Sequence, residues 1–111
     1  MVPVTAKVGP YGVTLAIVAP PYEFLGEFLT AEGSSLDSWA CDDLLLAAYA
    51  IKNGEKSRYA RSGNAHSVHI TSQKATITSE YRIPPAQRVI SLDNFLSVLT
   101  QWQSLLRQIC R

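Results

Sequence analysis

The stretch Ser67-Val68-His69-Ile70-Thr71-Ser72-Gln73-Lys74-Ala75-Thr76-Ile77-Thr78-Ser79-Glu80-Tyr81 decides the fold class. Val68 and Ile70 alternate with Ser67, His69 and Thr71. After a turn at Ser72-Gln73-Lys74, Ala75, Ile77, Ser79 and Tyr81 alternate with Thr76, Thr78 and Glu80. A period of two sends successive side chains to opposite faces, so each run reads as a strand with one buried and one wet face. The short link between them dictates an antiparallel hairpin.

Working outward toward the C-terminus, Ile83-Pro84-Pro85 breaks the alternation, and Arg88-Val89-Ile90 reads as a last short extended segment. Ser91 then has the chemistry of a helix N-cap, with Asp93 in the first turn near the positive end of the helix dipole. Leu92, Phe95, Leu96, Leu99, Trp102, Leu106 and Ile109 recur at helical spacing, which predicts an amphipathic helix running through Arg107.

Working outward toward the N-terminus, residues 55–64 are polar and basic with a Ser62-Gly63-Asn64 turn, and read as a surface crossing. Before them Leu36, Trp39, Ala40, Leu44, Ala47 and Ile51 form one apolar stripe, widened by Leu45, Leu46 and Tyr49. This predicts a helix capped by Ser35, with Asp37 in its first turn and Asn53-Gly54 as its stop. Residues 11–18 are rich in apolar and β-branched side chains and end at Pro20-Pro21, the pattern of a first strand. In residues 22–30, Tyr22, Phe24 and Phe28 stand at even spacing while Leu25 and Leu29 also fit a helical turn. The even spacing is taken as a second strand.

The predicted order is β-β-α-β-β-α: an α+β fold, with an antiparallel sheet covered on one face by two helices. The 111 residues, 47% hydrophobic and 17% charged, suit one domain over residues 1–111, because two cores of half that size would bury too little apolar surface. The N-terminus lacks a basic segment followed by a sustained apolar one, and the apolar run at residues 13–19 is too short to span a bilayer. The expectation is a cytoplasmic protein with no membrane contact. Cys41 and Cys110 have neither CxxC spacing nor a neighbouring histidine ladder, and read as buried thiols rather than a disulfide or a metal site.

Net charge is +1, but it is unevenly spread. From Val8 to Ile51 there are six acids, Glu23, Glu27, Glu32, Asp37, Asp42 and Asp43, and no Lys or Arg, a net of −6. From Lys52 onward nine bases face three acids, a net of +6. The acids are the candidate partner-binding residues: converging on one side, they would steer a basic protein partner by long-range attraction. The bland reading is that they are solubilising charge.

Catalytic chemistry is hard to find. His66 and His69 fall on opposite faces of their strand, which spoils a shared metal site or acid–base pair. No nucleophile elbow, zinc-protease motif, phosphate-binding loop or dinucleotide fingerprint occurs. A Ser–His pair without a buried acid to orient it is too common to count. The sharpest enzyme alternative is a small RNA-binding or nuclease-like protein, with Lys56, Arg58 and Arg61 clamping phosphate, Tyr59 stacking a base, and His66 or His69 as base. Trp39 and Trp102, on the helix stripes, read as core anchors. The leading expectation is no enzyme, no catalytic residue, no cofactor, no metal and no direct nucleic-acid contact.

The run Ser62-Gly63-Asn64-Ala65-His66-Ser67-Val68-His69-Ile70, an alternating strand, and Ile90-Ser91-Leu92-Asp93-Asn94-Phe95-Leu96 followed by Trp102 together resemble small bacterial immunity proteins of contact-dependent growth inhibition systems. The resemblance covers roughly residues 57–106 and is a pattern of strand, strand and capped helix. It implies a cytoplasmic antidote that binds the basic toxic domain of an effector, frequently a nuclease, and blocks its active site. Many such proteins are acidic overall, whereas this chain is +1. Their contact residues vary widely, so no binding residue is carried over.

Overall fold

The computed structural model describes residues 2–109. Six strands and three helices follow one another as β1 (Val4–Val8), β2 (Thr14–Val18), α1 (Glu23–Glu32), α2 (Asp43–Lys52), β3 (Arg58–Ser62), β4 (His66–Thr71), β5 (Lys74–Ser79), β6 (Ala86–Ser91) and α3 (Leu92–Ile109). β1 and β2 form a two-stranded antiparallel sheet, and β3-β4-β5-β6 a four-stranded antiparallel one. The α+β class and the antiparallel sheet under helices are as the alternation requires.

The order of elements differs from the expected one in the first half. The expected second strand is helix α1: besides Gly26 it buries Leu25, Phe28, Leu29 and Glu32, whose spacing by three and four outweighs the even spacing of Tyr22, Phe24 and Phe28. α1 lies directly on β2, and a Cβ on Gly26 would stand 2.7 Å from the Ala16 carbonyl oxygen. Thr30 joins the two elements by donating to the Gly26 carbonyl and accepting from the Ala16 N–H. The expected long helix after Ser35 begins only at Asp43. Residues 35–42 turn locally instead, since Ser35 Oγ donates to Asp37 Oδ1 and Ser38 Oγ to the Ser35 carbonyl. Short polar side chains that bond their own backbone compete with helix, and here they win.

β1 and β3 are additions, the latter within the expected surface crossing. α3 forms as expected, with Ser91 Oγ accepting from the Asn94 N–H. Trp102 is wholly buried and donates from Nε1 to the Gly33 carbonyl at 2.7 Å, whereas Trp39 is half-buried. Cys41 is buried in the turn before α2, and Cys110 lies outside the described residues. A single apolar core runs through both sheets and all three helices. Among the described residues no helix is long and apolar enough to cross a membrane.

The register of the four-stranded sheet sets up the site. Its inner face carries three cross-strand rows: Tyr59, Ile70, Ala75 and Ile90, then Arg61, Val68, Ile77 and Arg88, then His66, Ser79 and Ala86. The first row is apolar, the second has apolar centres with arginines at both edges, and the third is polar. His69 faces the opposite, solvent side with Ala60, Thr76 and Val89 in its row, so the two histidines are indeed on opposite faces.

Candidate functional site

The polar end of the inner face is organised around Glu32. Its side chain is 0% exposed, and its carboxylate accepts from the backbone N–H groups of Asn64, Ala65 and His66 at 2.9, 2.8 and 3.1 Å. His66 Nδ1 lies 3.2 Å from Oε2 of the same carboxylate. A carboxylate only accepts, so Nδ1 carries a hydrogen. Burial by itself would raise the Glu32 pKa, but the backbone donors of Ala65 and Asn64 together with His66 outweigh it and hold the pKa below the ordinary 4.5. Gly63 leaves the room required: a Cβ there would stand 2.1 Å from Glu32 Oε1 and 2.6 Å from the Trp39 ring. The His66 ring is packed edge-on by Phe28 and Tyr81, each with ring centroids 5.6 Å away.

Glu32 is therefore a correction to the expected partner surface. It is an interior ligand of the β3–β4 turn and cannot touch a partner. The other five acids stay exposed. Glu23 and Glu27 wall a cleft beside Arg82 and Arg88, with Glu27 bonded to Arg82 at 3.2 Å. Asp43 pairs with Arg61 at 3.1 Å, and Asp37 is bonded by Ser35. The charge split along the chain is thus partly cancelled in space: bases of the second half meet acids of the first. Asp37 and Asp42 form no ion pair among the described residues.

The basic segment at residues 56–61 is divided between two faces, because β3 alternates. Arg58 lies on the outer face, while Arg61 lies on the inner one, over the Trp39 ring at 5.0 Å. Tyr59 is half-buried against the core, with Lys56 Nζ 5.9 Å from its ring centre. Lys56, Tyr59 and Arg61 line one open cleft of about 450 Å³ beside Asp43 and Leu46.

Beside His66 the third row encloses a chamber of about 60 Å³, lined by Phe24, Glu27, His66, Ser79, Arg82 and Arg88 among others. Phe24, Glu27, Arg82 and Arg88 also wall the adjoining outer cleft of about 270 Å³. Ser79 is 8% exposed, and its Oγ has no hydrogen-bond partner among the described residues. The sequence holds one signal for this chamber: Ser79 alternates in phase with Ala75 and Ile77, which puts its hydroxyl on the buried face. A wider, largely apolar groove of about 670 Å³ runs along α2, α3 and β1 past Tyr49 and Leu96. Several of its polar groups are already bonded within the protein: Lys52 to Asp93, and Gln101 to Val2, Val4 and Ser97. Among the described residues no cluster of three or more His, Cys, Asp or Glu is placed to hold a metal ion.

Comparison of the chain with protein-family models, with curated proteins and with solved structures gives no match.

Proposed function

We propose that this chain is a non-catalytic binding protein of the cytoplasm that neutralises a basic toxin domain by covering its active site, as its resemblance to immunity proteins of contact-dependent growth inhibition implies. The observation that carries the binding reading is the tip of the β1–β2 hairpin. Tyr11 sits there at φ 60° and ψ 23°, a left-handed conformation that costs a residue with a Cβ about 1–2 kcal/mol. Gly9 N–H donates to the Val13 carbonyl and Val13 N–H to the Pro10 carbonyl, so the tip is held from within. Yet the Tyr11 side chain is fully exposed, flanked by exposed Val8 and Val13.

Strain held under an aromatic that packs against nothing internal is the arrangement of a preorganised anchor, since a rigid tyrosine loses little entropy when a partner buries it. Asp37 and Asp42, exposed and in no ion pair among the described residues, add negative charge that would speed encounter with a basic partner.

The test takes the C-terminal domain of the large secreted effector that this reading expects to be encoded immediately upstream. The purified chain should form a one-to-one complex with that domain and restore growth to cells producing it. Tyr11→Ala should weaken the complex by about tenfold or more. The double variant Asp37→Lys and Asp42→Lys should slow association, an effect that fades as salt is raised. Absence of such an effector, absence of a complex, or a complex indifferent to all three substitutions overturns the reading.

A further inference from the structure

We infer that the chamber between His66, Ser79, Arg82 and Arg88 is a binding site for a phosphate group, either inorganic phosphate or the end of a phosphate monoester. The inference does not depend on the protein partner proposed above.

Four observations converge on it. Ser79 lines the chamber, and its buried Oγ has no hydrogen-bond partner among the described residues, so its O–H is uncommitted. Arg88 forms no ion pair among the described residues and donates only sideways, from one guanidinium nitrogen to the Gln87 carbonyl. Arg82 gives one nitrogen to Glu27, and a guanidinium has five N–H donors, so it has others to offer. His66 lines the chamber with Nδ1 committed to Glu32, so Nε2 is the ring nitrogen left for a guest.

Size and chemistry narrow the guest. A water needs about 10–15 Å³ of such space, so about 60 Å³ holds a group the size of roughly four waters, which suits a tetrahedral oxyanion and excludes a whole metabolite. A phosphate monoanion or monohydrogen phosphate carries acceptor oxygens in several directions for Ser79 and the arginines. A carboxylate has only two oxygens, both in one plane, to meet them. Two arginines and the single carboxylate of Glu27 line the chamber itself, and Glu23 joins them only in the outer cleft. The outer cleft beyond Arg82 and Arg88 has room for the remainder of an ester.

Inorganic phosphate, phenyl phosphate and acetate are titrated into the intact protein, followed by calorimetry and by the His66 ring and Ser79 amide resonances. Saturable binding of phosphate below about 10 mM is expected, with acetate at least tenfold weaker. Tighter binding of phenyl phosphate identifies the monoester as the guest, and equal binding identifies free phosphate. Arg88→Gln, a change at an exposed side chain, should weaken phosphate by about tenfold and Ser79→Ala by several-fold. Glu27→Gln should tighten it, because the competing carboxylate is removed from Arg82; a purely structural role for Glu27 would not move affinity in that direction. No saturation, or shifts that persist unchanged in Arg88→Gln, would mean a chamber filled by water alone, and the inference fails.

Discussion

The two ends of the inner face of the four-stranded sheet are built by the same strands and bury their side chains by different physics. At one end Ile70, Ala75 and Ile90 are nearly or wholly buried apolar groups beside the start of α3, where the Leu92 N–H donates to the Gln73 carbonyl. Apolar burial asks only for volume to be filled. At the other end His66, Ser79 and Glu32 are equally hidden, but every buried polar atom there needs a partner. Glu32 and His66 Nδ1 have theirs, and Ser79 does not. The satisfied group belongs to the architecture, and the unsatisfied one marks where something else can bind.

The largest effects come from breaking either end outright. Glu32→Ala removes the acceptor of three backbone N–H groups and of His66 and should destabilise the fold by about 3–5 kcal/mol in urea denaturation. Ile70→Ala, at the apolar end, should fall in the range of about 2–5 kcal/mol.

Acid separates the two ends where size does not. Because the Glu32 pKa is lowered on folding, its contribution to stability is complete above about 4.5 and is lost as pH falls through the lower folded value. Urea midpoints measured downward from pH 6 should show this loss in the wild type and in Ile70→Ala. In Glu32→Gln the acid limb should be shallower. An unchanged limb would show that Glu32 is not ionised in the folded protein.

A smaller effect is expected at Gly63. Alanine there would drive its Cβ into Glu32 and the Trp39 ring, at a cost of about 1–3 kcal/mol, and thermal melts of Gly63→Ala made in a Glu32→Ala background should show much of that cost removed. The smallest is at Ser79. Removing a hydroxyl that bonds to nothing should leave stability unchanged or slightly raised in phosphate-free buffer, and a large loss in the Ser79→Ala melt would contradict its unpartnered state.

Much of the second half of the fold was legible because its signals are local. The β4–β5 hairpin follows from strict alternation, and α3 from one cap and one stripe. The first half was harder for particular reasons. α1 carries aromatics at even spacing on top of a helical stripe whose fourth buried member is a glutamate, which no hydrophobic count includes. β3 is almost wholly exposed and polar, so only its pairing with β4 makes it a strand. Of the six acids proposed as a surface, Glu32 was misplaced because its reason for being buried lies in the β3–β4 turn, more than thirty residues away. His66 and Ser79 could be placed on the buried face from alternation, but their meeting with Glu32, Arg82 and Arg88 could not.

The amino-acid pattern alone determined the α+β class, the antiparallel hairpin, the capped final helix and the opposite facing of the two histidines, because each depends on periodicity within a few residues. The tertiary structure decided which charges meet. It brought acids of the first half against bases of the second, drew one carboxylate into the interior, and left the Ser79 hydroxyl without a partner among the described residues, beside Arg82 and Arg88. Those outcomes depend on distances between residues far apart in the chain, and hydrogen bonding and charge pairing are set by those distances rather than by order along the sequence.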